Sequence, residues 1–167
     1  MKTEIIAVII SGISLILALV SFIFSIISKI KSSSIALENT RLANGMLELE
    51  GRTAIREENA RVNEVGMKIS PLIEKNKRDE LSQDQKTELE FLVKNMKAAE
   101  QGMLNAYEEA CSKYIDNKID RTRFRKTYQF EIRNLLESTG LKQYFDTHTS
   151  RYRAIIKVYN DWENLER

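Results

Sequence analysis

The sequence contains few of the residues that interrupt helices or that carry common catalytic chemistry. Among its 167 residues are one proline, six glycines, one cysteine and one histidine. A single cysteine excludes a disulfide bond within the chain and is compatible with a reducing compartment. So little proline and glycine, together with abundant Leu, Glu, Lys, Arg and Ala, predicts an all-α fold.

Motifs for catalysis and for metal binding are also missing from the sequence. There is no phosphate-binding loop, no zinc-ligand spacing and no nucleophile elbow. His148 lies in a polar link, and Cys111 lies in an apolar helical stripe, where a thiol acts as a small buried hydrophobe. Residues 116–120 superficially resemble a calcium loop, but Lys118 stands where an oxygen ligand is needed. The sequence thus predicts neither an enzyme nor a cofactor or metal site.

Charge of one sign does not dominate the chain. Charged residues make up 30% of the sequence, yet the net charge at pH 7 is only +2, so any basic surface must be local. The densest basic segment is residues 118–157, where Arg121, Arg123, Arg125 and Lys126 form a candidate surface for an anionic partner. Three interpretations stay open: a solvated helix face, contact with lipid or with an acidic protein, and contact with nucleic acid. Nucleic acid is the least favoured, because no nucleic-acid-binding module signature is present.

What the sequence has in abundance is one apolar run near the amino terminus. Residues 5–27 contain no charged side chain. A helix of that length spans about 35 Å, and the hydrocarbon core of a bilayer is about 30 Å thick. The run is too long, and its amino-terminal flank too weakly basic, for a cleaved signal peptide. We therefore expect an uncleaved, single-pass anchor within residues 1–31 and a lipid bilayer as its partner.

Basic residues beside this run favour one orientation in the membrane. Lys29 and Lys31 follow the run directly and Arg41 comes soon after, whereas only Lys2 precedes it. Because lysine and arginine concentrate on the cytoplasmic side of membrane spans, the carboxyl-terminal part of the chain is expected in the cytoplasm.

Small residues interrupt the apolar run at a regular spacing. They recur at alternating intervals of four and three residues, in the order Ala7, Ser11, Ser14, Ala18, Ser21, Ser25 and Ser28. In lipid, small residues let helices approach closely, so this pattern favours a transmembrane helix-packing face and a homo-oligomer. Two other interpretations stay open: small residues that a long anchor merely tolerates, and a pore lined by serine.

A heptad-like pattern continues after the anchor and predicts a coiled-coil-like stalk over residues 32–75. Its apolar positions are Ile35, Leu42, Met46 and Leu49, followed after a break near Gly51 by Ile55, Val62, Val65, Ile69 and Leu72. The stalk either self-associates or folds back on the rest of its own chain. Pro71 predicts a kink or a restart of the helix.

The remaining residues, 76–167, predict a small helical-bundle head. A polar loop is expected at residues 76–82, and residues 82–85 form a capping-box pattern that begins the next helix. Asn117, Ile119 and Asp120 predict a corner between two helices. The next helix is expected to run to about Ser138 and to end at Gly140, and a final helix is expected at about 151–165.

Short segments of the head carry a resemblance to known proteins. They are YEEAC at residues 107–111, YIDNKIDRTRF at residues 114–124, and the pair Tyr159 and Trp162. On these segments the head resembles small bacterial single-pass membrane-anchored helical proteins of uncharacterised function. The resemblance implies a protein of the bacterial inner (plasma) membrane, from a prophage or defence locus, and it implies no catalytic residue.

These observations favour a binding function over a catalytic one. The hypothesis is a self-associating membrane scaffold that presents its head to a cytoplasmic protein partner. The alternative is a membrane-perturbing effector or exclusion protein of a prophage or antiphage system.

Overall fold

The computed structural model describes the backbone of residues 2–146 and 149–164 and the side chains from residue 20 onward. Within these residues the chain is all-helical and contains no strand, which confirms the predicted fold class. The elements in order are α1 (Lys2–Lys77), α2 (Gln83–Ile115), α3 (Arg121–Glu137), a short 3-10 turn (Lys142–Tyr144) and α4 (Arg153–Asn164).

The chain divides into two compact units. The first, Met1–Ala43, contains the amino-terminal part of α1 and the second, Asn44–Arg167, contains the rest of α1 and all later elements. We call them the anchor unit and the head unit. The expected stalk, residues 32–75, is divided between them.

The anchor unit contains a helix that is long and apolar enough to cross a membrane. Its described apolar side chains are exposed, and Phe24 is the most exposed of them at 73%. A soluble protein rarely leaves a contiguous apolar surface of this extent in water, whereas hydrocarbon would cover it without cost.

The loop between α1 and α2 follows the sequence prediction closely. α1 ends at Lys77, and Asp79 adopts a left-handed conformation with φ 58°. Leu81 is buried beneath the turn. Ser82 then caps α2, because its hydroxyl accepts from the amide of Gln85 at 3.3 Å while the Gln85 side chain accepts from the amide of Ser82 at 3.1 Å. The predicted capping box is confirmed.

No helix boundary occurs at Pro71, so the predicted restart of the helix there is wrong. α1 continues through Pro71 to Lys77. Proline removes one helical hydrogen bond and costs about 3 kcal/mol in a helix interior. Ile69 and Leu72, on either side of it, are both buried. Burying each of these side chains stabilises the helix by about 1.5–3 kcal/mol, which is enough to offset the proline.

The corner between α2 and α3 has the predicted construction. Asn117 takes a left-handed conformation with φ 56°, and the amide of Lys118 donates to the carbonyl of Lys113. Ile119 is buried, and the Asp120 carboxylate accepts from the amide of Arg123 at 2.9 Å to cap α3. Local chemistry alone therefore determines this corner.

The end of α3 lies close to the predicted position. The helix ends at Glu137, one residue before the expected Ser138, which is its cap. Gly140, which was expected to end the helix, lies two residues beyond this cap, and its φ is not positive. The last helix, α4, begins at Arg153, two residues later than expected.

The core of the head unit lies among α2, α3 and α4, with Ile55 added from α1. Its largest fully buried side chains are Trp162, Leu104, Ile132, Ile155, Val158 and Cys111. Tyr114 of α2 packs edge-on against Trp162 of α4 with ring centroids 5.5 Å apart, and Phe124 of α3 packs against both rings. Through Tyr114, this aromatic cluster contacts Arg121 of the candidate basic surface.

Candidate functional site

The small-residue face is described structurally only over its second half. Ser21, Ser25 and Ser28 lie on α1 with exposed side chains. Together with Phe24 and Lys29 they line a shallow open groove along the helix. Lys29 and Lys31, which follow the apolar run, are also exposed. Such a groove lets a second helix approach the backbone closely. The side chains of Ala7, Ser11, Ser14 and Ala18 lie outside the described residues.

Apolar positions of the expected stalk differ in exposure along α1. In the anchor unit, Ile35 and Leu42 are exposed, and in the head unit Met46 and Leu49 are exposed as well. Farther along the head unit, Ile55, Ile69 and Leu72 are instead buried. The later residues therefore pack within the head unit, and self-association of the earlier ones stays a prediction.

The register break near Gly51 marks the point where α1 begins to pack on α2. A side-chain carbon at Gly51 would lie 3.8 Å from the Ala110 side chain of α2, so the two backbones pass close together there. Met46 and Leu49, just before this point, line an open apolar depression with Thr53 and Ala54. The change of register thus rotates the apolar residues of α1 from the surface toward the core.

The structure separates Arg123 from the other cations of the candidate basic surface. The Glu48 carboxylate, which is 11% exposed, accepts from Arg52 at 3.0 Å and from Arg123 at 3.4 Å. Arg123 also lies 3.7 Å from the Asp120 carboxylate. Arg123 is therefore paired with two carboxylates, and it links α3 to α1.

Arg121, Arg125 and Lys126 come together around a cavity of about 440 Å³ on the outer side of α3. Tyr114, Thr122 and Gln129 complete its lining. We call this site the α3 pocket. None of its lining residues is acidic. Arg125 donates from Nε to the amide oxygen of Gln129 at 3.2 Å. The pocket is thus rich in hydrogen-bond donors and positive charge, a combination that suits an oxyanion.

A hydrogen-bonded network that the sequence did not predict joins α1, α2 and α3. The Tyr107 hydroxyl donates to the Glu131 carboxylate at 2.6 Å and accepts from the Asn59 amide at 3.2 Å. Burial, and secondarily the hydrogen bond to Glu131, raises the pKa of Tyr107 far above its usual range. The network holds the three helices in register and keeps the phenol protonated.

A second unpredicted contact fixes the start of α4. The two carboxylate oxygens of Glu108, on α2, accept from the backbone amides of Ala154 and Ile155 at 2.9 and 3.0 Å. A carboxylate at a helix amino terminus satisfies free amides and complements the helix dipole. No local sequence pattern indicates this cap, because Glu108 is 46 residues away from Ala154 along the chain.

Of the two side chains with catalytic potential, the structure describes only Cys111. Cys111 is fully buried, and burial, together with the Glu108 charge, raises the pKa of its thiol well above the usual range, so it stays protonated. His148 lies outside the described residues. Among the residues the structure describes, no three His, Cys, Asp or Glu side chains are grouped so as to hold a metal ion.

Comparison with known proteins assigns no family to this chain. No protein-family model, curated protein or solved structure matches it.

Proposed function

We propose that this protein is a single-pass scaffold of the bacterial inner membrane. It self-associates through its anchor and presents a cytoplasmic helical head to a protein partner. The observation that carries the proposal is the contrast between exposed apolar side chains in the anchor unit and an independent core in the head unit. An apolar helix without partners in its own chain takes its partners from lipid or from another chain.

Self-association is supported by the small-residue face. In lipid there is no hydrophobic driving force between helices, so close packing and interhelical hydrogen bonds of about 0.6–2 kcal/mol decide association. Serine residues on one face supply both. The groove beside Ser21, Ser25 and Ser28 is the part of this face that the structure describes.

A binding role for the head is supported by its chemistry. The described head has a donor-rich surface pocket and a buried, protonated thiol, a combination that suits recognition better than reaction. The basic residues after the span support a cytoplasmic location for it.

Replacing part of the face tests the proposal. In a bilayer association reporter, Ser14→Leu, Ala18→Leu and Ser21→Leu combined should weaken the homotypic signal at least about tenfold, because the larger side chains separate the backbones. The matched control is Ile16→Leu, Val20→Leu and Ile23→Leu, which change three positions off the face and should leave the signal unchanged.

Two results would contradict the proposal. One is equal association of both variants and of the unchanged chain. The other is depolarisation of the cell membrane when the protein is expressed, measured with a potential-sensitive dye, because a scaffold leaves the potential intact whereas a membrane-perturbing effector does not.

A further inference from the structure

The guanidinium of Arg121 is held in place before any ligand arrives. It stacks over the ring of Tyr114 at 4.5 Å and donates to the Tyr114 hydroxyl at 3.3 Å. It also donates to the Asn117 side-chain oxygen at 3.4 Å. The same Tyr114 hydroxyl accepts from the indole of Trp162 at 2.9 Å. Since Tyr114 and Trp162 are buried, the core of the head fixes the position of this surface cation.

The α3 pocket has more donors than the head satisfies. Of the five N–H groups of a guanidinium, Arg121 uses two, so three remain. Lys126 is exposed and has no ion pair or hydrogen bond within the described chain. The acids nearest to Arg121 along the chain are engaged elsewhere. Asp116 pairs with Lys118 at 3.1 Å, and Asp120 caps the start of α3.

The cations of the α3 pocket are spread over a broad face of α3. Arg121 and Lys126 are five residues apart, which separates them by about 7.5 Å along the helix axis and by about 140° around it. They therefore lie at opposite edges of the pocket and are suited to two separate anionic groups rather than to one. In an extended segment, side chains two residues apart point the same way at a separation of about 7 Å, so a segment with several acidic residues can place one carboxylate at each edge.

We propose that the α3 pocket binds an acidic segment of a partner protein, in which two separate Asp or Glu carboxylates contact Arg121 and Lys126. The Thr122 hydroxyl supplies a further donor. Arg121 supplies orientation, because its fixed planar fork matches a carboxylate, and Lys126 supplies a mobile charge. This inference rests on the proposed function, since it specifies the chemistry of the protein partner that the head binds.

Binding is measured with the full-length protein in zwitterionic lipid nanodiscs. The probe is a fluorescein-labelled peptide of alternating glutamate and threonine, followed by fluorescence anisotropy. The expected result is saturable binding that a glutamine-for-glutamate peptide does not show. Arg121→Glu with Lys126→Glu should weaken it at least about tenfold. Raising the salt from about 0.1 to 1 M should also weaken binding, because the screening length falls from about 10 to 3 Å.

The matched control is Lys94→Glu with Lys97→Glu, which changes the net charge equally on exposed positions of α2. It should bind the peptide like the unchanged protein. Because Arg121 contacts a core residue, Lys126→Glu alone is the second variant, and it should weaken binding without changing the thermal unfolding of the head. Arg121→Lys should bind the peptide more tightly than Arg121→Glu but more weakly than the unchanged protein. It keeps the positive charge but loses the planar guanidinium that pairs with both oxygens of a carboxylate.

Three results would overturn the inference. The first is an equal loss of peptide affinity in the pocket variant and in the control variant, which would show that binding depends on net charge alone. The second is tighter binding, through the same residues, of a single-stranded oligonucleotide or of vesicles containing phosphatidylglycerol, which would assign the pocket to nucleic acid or lipid. The third is no peptide binding at low salt. None of these results concerns association through the anchor. The proposed scaffold is tested separately, by the bilayer association reporter.

Discussion

One helix, α1, contributes to both units, and the exposure of its apolar side chains differs between the two parts. In the anchor unit the described apolar side chains are exposed, whereas in the head unit Ile55, Ile69 and Leu72 are buried. Both parts are equally helical. The comparison teaches that helix formation in this chain does not depend on one kind of partner: intrachain packing stabilises the later part, and the earlier part is suited to lipid and to other copies.

Replacing the largest core side chain should have the largest effect on this comparison. Trp162 is 1% exposed, and Trp162→Ala should lower the free energy of unfolding of the head by about 3–5 kcal/mol through lost burial and an unfilled cavity. Urea unfolding of the detergent-solubilised chain measures it. Phe24→Ala in the anchor unit and Phe130→Ala on the surface of α3 should each change that free energy by less than about 0.5 kcal/mol.

Removing the cap that α2 supplies to α4 should have the next largest effect. Glu108→Ala leaves two amides at the start of α4 without an acceptor and should cost about 1.5–3 kcal/mol. Glu109→Ala is the matched control, because the exposed Glu109 carboxylate pairs with Lys113 on the surface of α2. This substitution should cost less than about 1 kcal/mol. Urea unfolding measures both variants. An equal loss of unfolding free energy in the two would show that the Glu108 cap contributes no more than a surface charge.

The buried thiol should make the head less stable in alkali. The pKa of Cys111 is raised in the folded state, so its protonated form stabilises the fold fully below the unfolded pKa of about 8.5. As the pH rises above that value the unfolded chain loses the proton first, and stability should fall by about 1.4 kcal/mol per pH unit from this group. Urea unfolding between about pH 8 and 10 measures the slope. The slope should flatten in Cys111→Ala, and an unchanged slope would contradict the assignment.

The network that joins three helices should give the smallest of these effects. Tyr107→Phe removes one hydroxyl and leaves Asn59 and Glu131 without their shared partner, which should cost about 1 kcal/mol. The control is Tyr159→Phe, whose hydroxyl also donates to a carboxylate, that of Glu137, at 3.1 Å on the exposed surface. It should cost less than about 0.5 kcal/mol by the same urea measurement.

Features fixed by neighbouring residues could be predicted from the sequence. The Ser82 capping box, the left-handed Asn117 and the Asp120 cap each depend on residues within a few positions of one another. Helical periodicity indicates the inward face of α3 in the same way. Its apolar residues Phe124, Tyr128, Ile132 and Leu135 recur at intervals of four, four and three residues, and all four are buried.

Features fixed by distant residues could not be predicted. Arg123 looked like part of one basic surface, but its partner Glu48 lies 75 positions away along the chain. Pro71 indicated a new helix by local rules, yet burial of its neighbours carries α1 through it. In α4, Tyr159 has the helical spacing of Ile155 and Trp162 but is only partly buried against the core. Ala154 and Val158 occupy the buried positions beside them. The α3 pocket itself depends on Tyr114, which only the fold brings beneath Arg121.

The account's central claim is that the small-residue face of the anchor packs against the same face of another copy. It is tested most directly by single cysteines placed along α1 in a Cys111→Ala background and oxidised in native membranes. Disulfide-linked dimers should be strongest at positions 21, 25 and 28 and weak at positions 23, 27 and 30, because only the first set lies on the face. Equal crosslinking at both sets, or none at either, would contradict the claim.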